Sequence, residues 1–351
     1  MEQRAIDYVI ILAYLILIAL WGFYQGGKQT NVKDYFLGST KVPWYVVCFS
    51  IVAAETSTLT FISIPGLAYL TNLNFLQLTV GYLIGRIFVA YFFLPLYFKG
   101  ELSTAYSYLE NRFGKKTRSF ASVVFIFTRL AADGVRLFAT AIPLKLMLDI
   151  DYTYAILIVA AFTLLYTYSG GVKGIIWVDA VQMFIYLGGA IIAGIFLINL
   201  IPDGLASLAR ISETENKLEI INFGFQDGIS NFFSQPYTLL SGLIGGAFLS
   251  MASHGTDQLI VQRLLATKDL KAGRKAIIGS GVIIIFQFAI FLIIGLLLYA
   301  YYGKTDFRSD EIFPLFIINE LPIGVTGIII AGLFAAAMST LAGSISSLSS
   351  S

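Results

Sequence analysis

The residues with the clearest chemistry are oxygen donors placed where an apolar chain normally carries none. From Ser50 to Tyr69 the sequence is apolar enough to cross a bilayer, yet Thr56, Ser57, Thr58, Thr60 and Ser63 run through its middle. Pro65 and Gly66 follow. Proline removes a backbone donor and glycine weakens a helix. A helix that opens here frees carbonyls at mid-membrane depth, which is tolerated only where they are buried in protein or line a polar cavity. Freed carbonyls and hydroxyls together suit a hard cation such as sodium. The alternative is an intact helix whose Ser and Thr bond back to the preceding turn. Far along the chain, Ser339 and Thr340 offer adjacent hydroxyls after Ala335, Ala336 and Ala337, small residues that allow close backbone approach. Facing the first stretch, they would complete about five or six oxygens, as a hard cation wants. Facing elsewhere, they are helix-packing residues.

Charges inside apolar stretches are the second signal. Glu55, Arg86, Arg129, Asp133, Arg136, Lys145 and Asp179 all fall within them. Such charges are costly and mark a pathway or a pair. Lys145 lies near the end of its stretch and can snorkel. Arg129 and Asp133, four residues apart, share a helix face and form an ion pair. Glu55, Arg136 and Asp179 read either as functional groups or as structural partners. His254 reads as a substrate contact or as a hydrogen-bonded packing residue.

The elements that position these groups must be membrane helices. The chain has 351 residues, 57% hydrophobic and 13% charged, with mean hydropathy +0.80. A soluble domain carries about 25% charged residues. A spanning helix needs about 20 largely apolar residues, and nine candidates run over 6–25, 44–69, 75–98, 119–147, 153–168, 173–201, 237–262, 275–301 and 322–346. The first seven residues have no basic region or cleavage pattern, so the first run is expected to be a retained helix. Lys and Arg gather on one side of the nine, among them Lys115, Lys116, Arg118, Arg263, Lys271, Arg274 and Lys275, while the other side holds only Arg4, Arg210, Lys217, Lys304 and Arg308. The basic side is therefore read as cytoplasmic, the N-terminus as outside and the protein as multi-pass in the plasma (inner) membrane.

Several classes are excluded. A lone cysteine, Cys48, makes no internal disulfide, and a lone histidine makes no His-rich metal site. Gly170-Gly171 and Gly188-Gly189 lack the Lys-Ser/Thr ending of a phosphate loop. No HExxH, paired catalytic carboxylates or nucleophile motif suggests an enzyme. The segment over 237–262 is interrupted by Gly242, Gly245, Gly246 and Gly255, with Thr256-Asp257-Gln258 opening a polar half. Two interrupted segments at corresponding places point to an inverted-repeat transporter of the leucine-transporter fold. On that reading 1–351 is one transmembrane domain, with a first repeat over about 44–201 and a partial second repeat over about 237–346.

The chain resembles the sodium:solute symporter family, which includes sodium/glucose and sialic-acid cotransporters. The likeness is carried by Asp34 to Gly38 with Pro43-Trp44, by Tyr108-Leu109 with Arg112 to Gly114, and by Leu165 to Gly171 with Trp177 to Asp179. Thr256 to Gln258 with Val261 to Arg263, and Ala335 to Thr340, complete it in order. Phe61 to Pro65 is most like the sialic-acid branch. The resemblance implies a co-transported sodium ion held by the carbonyls of Ala53, Thr56 and Ala336 and the hydroxyls of Ser339 and Thr340. A further ion in some members uses an aspartate matched here by Asp179, but its serine positions are Ala342 and Gly343, which implies one sodium. Substrate positions map onto Glu55, Ser57, Thr60, Phe75 and Thr79. The sialic-acid branch's carboxylate-binding arginine maps onto Ala132, with Arg136 one turn away. The implied partners are a small-molecule solute (a sugar, sugar acid or other organic anion), sodium and the lipid bilayer, and not nucleic acid. The family's core has ten helices after the first, so the resemblance also implies a second repeat cut short after its third helix. A symporter-like input domain of a sensor protein is the alternative.

Overall fold

The structure is a computed structural model that describes residues 4–26, 35, 42–99, 105–148, 150–225 and 235–350. Asp34 and Phe36 to Gly38 lie outside the described residues. The expected all-α class holds, and among the described residues the one β feature is an isolated bridge between Val42 and Thr267.

Each of the nine expected segments meets a helix or a broken helix pair. Ala5–Gly26 is α1, and Trp44–Glu55 and Thr58–Leu70 are α2 and α3. Phe75–Lys99 is α4, with a π turn at Val89–Phe93. Ala105–Phe113 is α5 and Lys115–Leu148 is α6. Tyr152–Leu165 and Gly170–Leu200 are α7 and α8. Ala206–Glu215 is α9, an amphipathic connector. Gly246–Gly255 and Gln258–Leu265 are α10 and α11, entered through a π turn at Ser241–Gly245. Leu270–Tyr302, Ser309–Asn319 and Val325–Ser350 are α12, α13 and α14. Among the described residues five helices are long and apolar enough to cross a membrane, and α2 with α3 makes up to a sixth, bent span. The 34-residue α6 owes its lower hydropathy to Arg129, Asp133, Arg136 and Lys145.

The break between α2 and α3 sits at Thr56 and Ser57, both extended (φ −78°, ψ 100° and φ −92°, ψ 170°), and bends the span by 66°. The hydroxyls open the chain, not the proline. Ser57 is the N-cap of α3, its oxygen accepting the Thr60 N–H at 3.4 Å. Pro65 lies inside α3, two turns beyond the break. Its carbonyl lies against Gly295 of α12 so closely that a Cβ there would overlap it. Between α7 and α8 the kink falls at Gly171 (φ 53°, ψ −167°), backbone that a side chain disfavours.

Among the described spans the most covered is α14, with 83% of its apolar stretch buried, against 28% for α1. The donor residues of α14 are therefore held at the centre, between α8, α2, α6 and α1. At the opposite end from the break, α3 is pinned by Lys217, whose ammonium donates to the Tyr69 carbonyl at 2.7 Å and lies 4.1 Å over the Tyr299 ring. Burial pulls that lysine below its ordinary range. The Tyr69 hydroxyl donates to the Gly303 carbonyl at 2.6 Å.

The contact of α3 with α12 leaves no room for a methyl group. Gly295→Ala is expected to cost about 1–3 kcal/mol, read as a lower Tm of the purified protein in detergent. Gly188→Ala meets open space on α8 and leaves Tm unchanged or slightly raised. Equal Tm in the two variants would show that the packing at Gly295 is loose.

Candidate functional site

The last turn of α2 ends at Thr56, whose N–H and hydroxyl both donate to the Val52 carbonyl, at 3.0 and 2.8 Å. Beyond it the helical ladder stops, leaving the carbonyls of that turn without the usual N–H partners. They also carry the negative end of the α2 dipole. Here α14 crosses α2. The Thr340 hydroxyl lies 3.3 Å from the Ala54 carbonyl and 3.2 Å from the Ala336 carbonyl. Ala53, Thr56, Ala336, Ser339 and Thr340 are all buried. From behind, Gln287 of α12 donates to the Thr56 hydroxyl at 2.6 Å, and Tyr186 of α8 donates to it at 3.1 Å.

Ser339 turns toward α8. Its hydroxyl donates to Asp179 Oδ1 at 2.7 Å. The other Asp179 oxygen accepts from Ser50 at 2.7 Å and from Arg263 Nη2 at 2.8 Å. Arg263 also donates through Nε to Ser50 at 2.9 Å and through Nη1 to the Leu259 carbonyl at 2.7 Å. This corrects the reading of Arg263 as a loop cation: it belongs to α11 and is 3% exposed. Gly343 makes the space, because a Cβ there would come within 2.5 Å of the guanidinium. Where a further ion would need side-chain hydroxyls, Ala342 and Gly343 offer none, and Arg263 already pairs with Asp179 at 2.8 Å.

Beside the break lies a cavity of about 220 Å³, lined by Glu55, Tyr82, Arg136, Ser250, His254 and Asp257 among others. Glu55 pairs with Arg86, whose side chain is fully buried and whose Nη1 donates to Ser280 at 2.7 Å. His254 Nε2 lies 3.5 Å from Glu55 Oε2. The expected pair of Arg129 with Asp133 forms at 3.2 Å, and Arg129 also donates to Ser344 of α14 at 2.7 Å. Arg136 shares Asp133 at 3.3 Å, and its side chain keeps 31% of its surface exposed. Arg136 also lines a narrower gap with Ser57, Thr58, Thr140 and Thr340. Arg136 is common to this gap and the cavity, and Thr340 brings the gap to the crossing of α2 and α14.

Among the expected solute residues, Glu55 and Arg136 line the cavity and Ser57 lines the gap. Thr60 is half-buried one turn into α3. Phe75 and Thr79 do not line the cavity. Phe75 stacks on Phe288 at 5.2 Å, and Thr79 is buried with its hydroxyl on the Leu76 carbonyl at 2.8 Å. The sequence reasoning missed Arg86 as the partner of Glu55, Arg263 as the partner of Asp179, and Tyr186 and Gln287 behind Thr56. Only Arg86 carried a signal, as a charge in an apolar run that had to find an opposite charge. His254 and Ser250 wall the cavity, with His254 Nε2 toward Glu55 and Ser250 Oγ without a hydrogen-bond partner among the described residues.

This arrangement has close counterparts among known proteins. The family model for the sodium:solute symporter family matches residues 35–351. The sodium/sialic acid symporter SiaT of Proteus mirabilis is 30% identical over 354 residues, covering 98% of this chain and 70% of that protein. The sodium/sialic acid symporter NanT of Aliivibrio fischeri is 28% identical, covering 98% and 68%. The sodium/glucose cotransporter of Vibrio parahaemolyticus is 26% identical, covering 97% and 66%. A solved substrate-bound outward-open state of a Na+-coupled sialic acid symporter superposes with a TM-score of 0.89 at 29% identity, over 98% of this chain and 73% of that one. That likeness carries the leucine-transporter-like fold expected from the interrupted helices. With a family model over nearly its whole length and such relatives beside it, the chain belongs to the sodium:solute symporter family, whose members are sodium-coupled carriers and not enzymes.

Proposed function

We propose that sodium is held where α14 crosses the end of α2, and that the solute occupies the cavity on the far side of the Arg136 gap. The observation that carries this is the Thr340 hydroxyl, within hydrogen-bond distance of carbonyls on both helices. A hydroxyl that donates one bond keeps two lone pairs for a cation. Thr340 donates to a carbonyl and Ser339 donates to Asp179, so both present acceptor faces. The carbonyls of Ala53, Thr56 and Ala336 supply the remaining oxygens. One sodium moves per cycle on this reading, because Arg263 holds Asp179 and the two neighbouring positions have no side-chain oxygen to give.

The solute is an organic anion, of which a sugar acid of the sialic-acid class is the first to test. Arg136 is the cavity's least committed cation, since the Asp133 carboxylate it touches is shared with Arg129. Glu55 is matched by Arg86 and does not repel the anion as a free carboxylate would. Glu55, Ser57, Thr60 and Arg136 are assigned to the solute, while Phe75 and Thr79 stand outside the cavity, one to two turns before Tyr82 on the same helix. Sodium draws α2 against α14 and shapes the gap that Arg136 shares. By linkage, sodium and solute each raise the other's affinity by the same factor. The gradient then drives the solute, with about 2.3 kcal/mol per charge per 100 mV of membrane potential. The basic side faces the cytoplasm and the N-terminus faces outward, in the plasma membrane.

The primary experiment is uptake of sugars, sugar acids and carboxylates into proteoliposomes, with and without an inward sodium gradient. Gradient-dependent accumulation of an acidic solute is expected. Accumulation that ignores sodium would sink the reading. Ser339→Ala and Thr340→Ala should each raise the sodium concentration for half-activation about tenfold, the loss of one contact to a charged partner, with Tm little changed. Unchanged activation in both variants would remove the site. Arg136→Ala should raise KM for an anionic solute about tenfold or more while sodium activation stays put. A neutral sugar as substrate, carried equally well by Arg136→Ala, would refute the anion assignment.

A further inference from the structure

The arginines within the apolar layer of this protein are matched by acids. Arg86 faces Glu55, Arg129 and Arg136 face Asp133, and Arg263 faces Asp179. By contrast, Lys271, Arg274 and Lys275 make no ion pair among the described residues, although neighbouring Asp269 reaches Lys268 at 4.0 Å. The three are spaced i, i+3 and i+4, so they share one face of α12. They come immediately before its apolar run, the most apolar of the described spans. That places them where α12 leaves the hydrocarbon.

The trio lines an open recess of about 570 Å³ together with Trp44, Tyr91 and Ile278. Its cations are held in place by other elements. Arg274 Nε donates at 3.0 Å to the carbonyl of Ala90, which belongs to the π turn of α4. The Arg274 guanidinium lies 4.8 Å over the Tyr91 ring, and Lys275 lies 5.8 Å over Trp44 at the start of α2. Trp44 is 40% and Tyr91 55% exposed, as befits aromatic side chains at a membrane interface. No carboxylate lines the recess among the described residues. The first turn of α12 is already capped by Asp269, which accepts the Ala272 N–H at 2.7 Å, so side-chain charge and not free backbone N–H makes the site attractive to anions.

We infer that this recess is a binding site for an anionic phospholipid. The headgroup phosphate sits among Lys271, Arg274 and Lys275, and an acyl chain follows Tyr91 and Ile278 into the apolar layer. Basic recesses between helices at the membrane boundary take such headgroups, each nearby cation adding to the attraction. A wall that is basic at one end and apolar at the other fits a lipid better than a free phosphate, which would use only half of it. The bound lipid touches α2, α4 and α12 together, so it braces the entry to the span that carries the break.

The test is native mass spectrometry of the full chain in detergent, titrated with dioleoyl phosphatidylglycerol or dioleoyl phosphatidylcholine. Wild type is expected to retain the anionic lipid and not the zwitterionic one. The double variant Lys271→Gln/Lys275→Gln leaves the bond of Arg274 to Ala90 in place and should weaken retention about 10- to 30-fold at unchanged Tm. The double variant Lys115→Gln/Lys116→Gln removes the same charge at the start of α6 and should retain the lipid like wild type. Equal retention of both lipids by wild type would overturn the site. So would equal weakening by the two double variants, which would mean diffuse surface attraction. Displacement of the lipid by millimolar inorganic phosphate would replace it with a phosphate site.

Discussion

A helix opened inside a bilayer exposes carbonyls that no bulk water reaches, and each one left unpaired costs several kcal/mol. Much of this structure answers that one demand at Thr56 and Ser57. Helix α14 is buried against the break so that Thr340 can meet the Ala54 carbonyl. Helices α8 and α12 send Tyr186 and Gln287 to the Thr56 hydroxyl, and those two are themselves bonded at 2.8 Å. The cost of opening the helix is thus spread over four helices. On the proposed assignment, a cation binding the remaining oxygens would complete what these side chains leave open and touch the same helices.

The buried charges obey the same logic. Two pairs bridge helices, Glu55 on α2 with Arg86 on α4 and Asp179 on α8 with Arg263 on α11, while Asp133 pairs with Arg129 within α6 and Arg129 reaches Ser344 on α14. A buried pair adds little net stability over an apolar substitute of the same shape. Its effect lies in register, because losing either partner strands a charge in a low dielectric. The Asp179 cluster ties α8, α11, α2 and α14 at one point through Arg263, Ser50 and Ser339. Ser339, one of the implied sodium residues, belongs to this cluster, and its neighbour Thr340 faces the end of α2.

The helices were legible because hydropathy and length are local properties. So was the position of the break, since Thr56, Ser57 and Thr58 have no business in an apolar run unless the backbone needs them. What was not legible is pairing across the chain. Arg263 lies at the end of a polar segment and reads as a loop residue, and only Gly343, eighty residues later, makes the space that buries it. Arg86 and Glu55 are 31 residues apart on separate helices, with no periodicity to connect them. Pro65 misled in the opposite direction: it looks like the breaker, yet α3 continues through it because Ser57 had already started the helix. Phe75 and Thr79 followed from resemblance to relatives and not from local chemistry, and the cavity does not include them.

The two proposed sites are not independent compartments. Thr340, at the ion crossing, and Arg136, at the solute cavity, line one narrow gap with Ser57 between them. Ser57 caps α3 and Thr340 bonds the end of α2, so any movement of α14 relative to the break changes the shape of that gap from both ends. An anion reaching Arg136 competes with Asp133 for the guanidinium, and Asp133 is held through Arg129 by Ser344, one turn beyond Thr340 on α14. With sodium and solute placed as proposed, the two pull on the same helix through separate contacts. That is the physical requirement for one to raise the other's affinity, since a ligand shifts an equilibrium only by what it gains in one state over the other.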